Sequence, residues 1–159
     1  MAEFNRYEIY MILNQPKPLW LSTIDLSGAD LRGANFQDAV LMGANLAKAN
    51  LTGANLSGAN LGGCRLDGAV LIGADMKHAQ MRGTSLLGAD MRETVLIEAD
   101  MSEANLSETN LIGANLASAD LTNANMTNAN LAGANATDYK LSRAKSLTGA
   151  ILPDGSVHE

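Results

Sequence analysis

Three side chains in the 159 residues could serve as nucleophile, proton carrier or soft metal ligand: Cys64, His78 and His158. A reactive thiol needs an electropositive, partly open setting, and a zinc site needs clustered Cys and His ligands. Neither pattern is present. The single cysteine cannot form an internal disulfide, and the two histidines stand eighty residues apart. The acids are arranged differently. Glu93, Glu98, Glu103 and Glu108 recur at every fifth position, with Asp90, Asp100 and Asp120 among them. The whole formal charge of −6 lies within residues 86–130, where Arg92 is the only base. Apolar residues Val70, Ile72, Leu87, Val95, Ile97 and Ile112 flank these acids. Acidic and exposed apolar groups side by side are the chemistry of protein recognition rather than of catalysis.

The elements that hold these residues follow from one period. Leu, Met or Phe stands at every fifth position from Leu21 to Leu131, followed in the same register by Ala136 and Leu141. Of these 25 central positions 18 are Leu and five are Met, which marks the large buried site. Two residues earlier the chain carries mostly Ala, with Cys64, Thr84, Thr94 and Thr109 as small substitutes, and Asn or Asp usually lies between. Five helical steps of about 100° advance a side chain by roughly 140°, so these leucines cannot share a face of an α-helix. In extended chain, residues two apart share a face, so Ala and Leu point inward and Asn or Asp outward. The remaining two positions, often ending in Gly, suit a corner. One unit cannot bury its Leu alone, and stacking coils about 4.8 Å apart predicts a solenoid. Outward Asn ladders such as Asn35 above Asn55 are expected to exchange side-chain hydrogen bonds between coils.

Runs such as Ala49-Asn50-Leu51-Thr52-Gly53, Ala54-Asn55-Leu56-Ser57-Gly58 and Ala114-Asn115-Leu116-Ala117-Ser118 resemble the pentapeptide-repeat family and its pattern A(D/N)LXX. The resemblance implies an all-β fold, a right-handed quadrilateral β-helix of about six coils and roughly 29 Å length. The tail Leu147 to Gly155 resembles the ends of short members common in cyanobacteria. On a four-sided coil the four glutamates form a belt, and Asp100 stacks on Asp120, where like charges repel.

Three segments are expected. Residues 1–20 form an N-terminal cap with a short α-helix over Glu3 to Gln15, ended by Pro16 and Pro18, with Trp20 closing the first coil. Residues 21–141 form the β-helix, and 142–159 a C-terminal cap and tail in which Leu147, Ile151 and Leu152 fold across the last coil after Tyr139 has taken an inward Ala position. The methionines read as core filler, Cys64 as a small buried residue and His78 as a solvated one without a partner.

With the interior filled by Leu, Met and Ala, no catalytic constellation, metal site or cofactor site is expected. Scattered bases argue against direct nucleic-acid binding. The absence of 18 consecutive apolar residues and of a basic, apolar start predicts an unexported, cytoplasmic chain with no membrane span. The expected role is a non-catalytic interaction module or scaffold, a monomer or weak end-to-end dimer, that meets a protein partner through Val70, Ile72, Leu87, Asp90, Arg92, Glu93, Val95, Ile97, Glu98, Asp100, Glu103, Glu108 and Ile112. The resemblance supplies an alternative, a DNA-mimicking inhibitor of gyrase, since some family members protect that enzyme from quinolones. Those members are longer and dimerise through a C-terminal extension.

Overall fold

The computed structural model describes residues 5–159. Glu3 and Phe4, included in the expected cap helix, lie outside them. Outward residues pair in parallel with those twenty positions later, from Trp20 with Val40 onward to Asn115 with Asn135. Each coil therefore holds four five-residue units. The pairing is repetitive: Leu26 N–H donates to Asn45 O at 2.8 Å, and Asn45 N–H donates to Ile24 O at 2.9 Å. Every side ends in a turn closed by bonds such as Ala29 N–H to Leu26 O at 3.1 Å. The third residue of that turn has φ near +60°, whether it is Gly28 at 68° or Glu103 at 60°. This is the position a type II turn reserves for glycine.

The interior is a column of fully buried Leu, Met and Ala from Leu26 to Ala134. Thr84, Thr94 and Thr109 take inward Ala positions with their hydroxyls bonded to Leu61 O, Met91 O and Leu106 O. Burying each Leu contributes about 1.5 to 3 kcal/mol. The Asn and Asp residues do something other than the expected ladder. Their Oδ1 accepts the N–H two residues on, as in Asn50 to Thr52 at 3.1 Å and Asn55 to Ser57 at 3.0 Å. These are Asx turns that initiate each corner. Of the outward Asn and Asp stacked twenty residues apart, only Asn45 to Asp25 and Asn135 to Asn115 bond side chain to side chain among the described residues. Asn35 and Asn55 do not bond to each other, and the Oδ1 of each accepts from its own corner.

The ends differ from the sequence reading in three places. Helix α1 (Arg6–Leu13) starts with a capping box in which Asn5 Oδ1 accepts from Glu8 N–H and Glu8 Oε2 accepts from Asn5 N–H. It buries Ile9, and Leu19 closes the first coil, while Trp20 is 76% exposed. Trp20 lies on the outward phase of the extended chain, paired with Val40, so it cannot turn inward. At the other end, helix α2 (Asp138–Leu141) replaces a straight side and turns Tyr139 outward. One extra residue enters there, so Asn125 pairs with Ser146 and Asn130 with Ile151, twenty-one positions on. Parallel pairing thus runs from Trp20 to Ile151, past both limits of the 21–141 block. Leu147 and Leu152 pack half-buried against the column, and Ile151 pairs antiparallel with Val157 beyond the Pro153-Asp154-Gly155 turn. No helix among the described residues is long and apolar enough to cross a membrane.

Candidate interaction surface

The twenty-residue pairing converts the sequence into vertical columns. One side has Asp30, Asn50, Val70, Asp90, Asn110 and Asn130 down its middle. Its trailing corner carries Ile72, Arg92 and Ile112 with Glu93, and its leading corner carries Leu87 and Glu108. Eight of the thirteen residues singled out from the sequence therefore surround one side. The other five do not join them. Val95 belongs to the next side, Ile97 and Glu98 to the corner after it, Asp100 to the third side and Glu103 to the following corner. The belt does encircle the rod, but its four carboxylates point in four directions, and no flat partner can meet them together.

The four glutamates also differ in their partners. Glu98 Oε2 lies 3.3 Å from His78 Nδ1, one coil earlier in the same column. Glu103 Oε1 accepts from Arg82 at 2.8 Å. The solvated His78 expected without a partner thus has one, found only once residues are counted by twenties. Glu93 and Glu108 make no ion pair among the described residues. All four occupy the left-handed corner position, with φ of 57°, 58°, 60° and 59°. For a residue with a Cβ that conformation costs roughly 1 to 2 kcal/mol.

Arg92 lies across the middle of the side. Its Nε and Nη2 donate to Asp90 at 2.9 and 2.8 Å, and this pairing, more than the N–H of Arg92, holds the Asp90 carboxyl below the usual carboxylate range. The pair is self-neutralised, and the Arg92 stem lies between Ile72 and Ile112 in its column. Leu87 is 42% and Ile112 39% exposed. Val70 and Val95 replace the Asx residue, and in both units the next outward residue is Ile, whose N–H has no side-chain acceptor among the described residues. Val40 followed by Met42 repeats the exchange on a third side, a pair the sequence reading passed over because it lies outside the acidic segment.

The stacked Asp100 and Asp120 are less costly than expected. Each accepts from its own corner, Asp100 from Ser102 N–H and Oγ at 2.9 and 2.6 Å, and Asp120 from Thr122 N–H at 3.0 Å and from the Thr122 hydroxyl. The hydroxyl bond first, and the charges of Arg143 and Lys140 further off, lower the Asp120 carboxyl. Cys64 is buried with its thiol donating to Leu41 O at 2.8 Å, and burial pushes its pKa up to about 11. Among the described residues no three His, Cys, Asp or Glu side chains converge as a metal site. A hollow of about 320 Å3 beside the first coil is lined by Lys17, Pro18, Asn35, Gln37 and Asp38, with Lys17 Nζ donating to Asn35 O.

Comparison with known proteins points one way. The family profile for pentapeptide repeats matches in eight copies over residues 21–58, 49–86, 81–111 and 109–145. No protein of curated function matches the chain in sequence. Among solved structures, HetL, a pentapeptide repeat protein involved in heterocyst differentiation regulation in the cyanobacterium Nostoc sp. strain PCC 7120, is 32% identical. That match covers 87% of this chain and 76% of HetL, at a TM-score of 0.43. The pentapeptide repeat protein alr5209 of Nostoc PCC 7120 is 35% identical over 54% of this chain and 69% of its own, with a TM-score of 0.51. QnrB1, a plasmid-mediated fluoroquinolone resistance protein, is 21% identical over 85% of this chain and 80% of its own, with a TM-score of 0.48.

Proposed function

This chain belongs to the pentapeptide-repeat family, and we propose that it is a non-catalytic interaction module whose docking surface is the side bounded by Glu93 and Glu108. The carrying observation is the coincidence, on one side, of two unpaired glutamates in left-handed corners with the apolar residues Val70, Ile72, Leu87 and Ile112. Elsewhere on the belt the carboxylates are met by His78 and Arg82. We further propose the family's right-handed winding, six coils and a cytoplasmic, monomeric rod about 29 Å long.

A photo-crosslinking residue placed at Ile112 tests the docking surface. It is expected to give a discrete protein adduct in cells, and the same residue at Asn105, on the preceding side, is expected to give none. Equal adducts from both positions, or none from 112, would refute the assignment. Inhibition of gyrase is not favoured. A DNA mimic needs negative charge repeated along the rod, whereas here the excess is confined to 86–130 and half the belt is internally paired. Purified protein is expected to leave gyrase supercoiling unchanged.

A further inference from the structure

We infer that the partner element is a cationic amphipathic α-helix laid along the rod axis over this side, an inference that rests on the docking reading above. The first argument is spacing. Ile72 and Ile112 stand in one column two coils apart, which at about 4.8 Å per coil separates them by roughly 10 Å. Helix positions i and i+7 lie on one stripe about 10.5 Å apart. An extended segment puts same-face residues about 6.8 or 13.6 Å apart and matches neither. The second argument is width. A side of three extended residues spans about 10 Å between its corners, close to the diameter of a helix with its side chains, about 10 to 12 Å.

The third argument is charge complementarity. Glu93 stands at the trailing corner and Glu108 at the leading one, so the apolar strip has a carboxylate on either flank. Neither makes an ion pair within contact distance among the described residues, although the charge of Glu93 acts on neighbouring Arg92. The arginines on this side, Arg92 and Arg32, are held by Asp90 and Asp30, and Lys48 stands three coils below Glu108 at the leading corner. A helix with an apolar stripe and Lys or Arg on both edges of that stripe complements this arrangement, and an acidic helix is repelled by it. The flanking corners are largely bare, with Gly73 and Gly113 beside Glu93 in its column and Gly68 and Gly88 below Glu108 in its own, so the helix backbone can approach closely.

The test uses the full chain and a labelled synthetic peptide of about 18 residues, long enough to hold a helix. The peptide has Leu at i, i+3, i+4 and i+7 spacing and Lys on both sides of that stripe. Fluorescence anisotropy should show saturable binding that weakens about fivefold for Glu93→Gln with Glu108→Gln, and at least about tenfold for Ile72→Ser with Ile112→Ser. Glu98→Gln with Glu103→Gln should leave it unchanged, and serves as the control for folding and for total charge. A peptide of the same composition in scrambled order, and one with Glu replacing Lys, should not bind. Equal binding by either control peptide, equal loss from the Glu98 and Glu103 pair, or no binding of the Lys peptide would overturn the inference. In that event a discrete adduct from residue 112 would leave the docking surface standing and reject only the helical, cationic partner. Absence of that adduct as well would reject both.

Discussion

Replacing Glu93 and Glu108 by glycine is expected to make the rod more stable and less able to bind. Both residues hold φ near +58°, in columns where the neighbouring rungs are mostly glycine: Gly73 and Gly113 for Glu93, Gly88 for Glu108. A left-handed residue with a Cβ costs about 1 to 2 kcal/mol. Glycine returns part of this, about 0.4 to 1 kcal/mol, through its greater freedom in the unfolded chain. The net gain is then roughly 0.5 to 1 kcal/mol per site. The two glutamates sit on different corners and share no partner, so Glu93→Gly with Glu108→Gly should gain about 1 to 2 kcal/mol. The same change at Glu103 forfeits an exposed ion pair worth at most about 1 kcal/mol, and at Glu98 it forfeits the exposed contact with His78, so both should come out near zero. Urea unfolding followed by far-UV circular dichroism reads the difference as a shift in midpoint at constant slope. A lower midpoint for both single variants would refute the reasoning, because it would mean that the glutamates stabilise the coil and that their presence needs no functional explanation.

Three further outcomes are expected. Val70→Asn restores an acceptor for the Ile72 N–H and should raise stability by about 0.5 to 1.5 kcal/mol, measured by the same unfolding curves, while weakening crosslinking from residue 112. Cys64, buried with its thiol bonded to Leu41 O and its pKa raised to about 11, should resist maleimide in the native state and label fully in denaturant, as mass spectrometry would show. Acid should weaken the fold in a defined window. Asp30 is held at about 2, chiefly by Arg32, and Asp90 and Asp120 are lowered by Arg92 and by the Thr122 hydroxyl. Because these folded-state values lie below the unfolded ones, their contribution is complete above about pH 4 and is lost as pH falls toward about 2, so thermal midpoints should drop across that interval and recover on neutralisation.

The interior was legible because one constraint governs it. Leu and Ala repeat by fives and extended chain alternates by twos, so stacked coils bury the central Leu of nearly every unit. What lay beyond that constraint was harder to read. Trp20 looks like a lid by size, yet phase alone decides that Leu19 faces in and Trp20 out. The extra residue near α2 is invisible to a count by fives because Leu141 keeps the register and is still buried, though in a helical turn rather than on a side. The Asn residues suggested a ladder by stacking, but an Oδ1 two residues from an N–H that needs an acceptor serves the corner first.

On the outer surface the period of five is the wrong ruler and twenty is the right one. Counted by twenties, His78 meets Glu98 and Arg82 approaches Glu103, so half of an apparently uniform acidic belt is explained by its own chain. Asp100 over Asp120 looks like a cost without return until the hydroxyls of Ser102 and Thr122 and the nearby Lys140 and Arg143 are counted, and then it too is explained. Departures that remain uncompensated after this accounting carry the functional argument. Val70 gives up an Asx bond to expose a methyl surface, and Glu93 and Glu108 bear left-handed strain with no ion pair among the described residues. Val40 with Met42 and Val95 with Ile97 make the same exchange on two other sides, so loss of the Asx bond alone does not single out a surface. What distinguishes the side of Val70 is that this exchange is flanked by both Glu93 and Glu108, and that combination is the reason for reading it as the side in use.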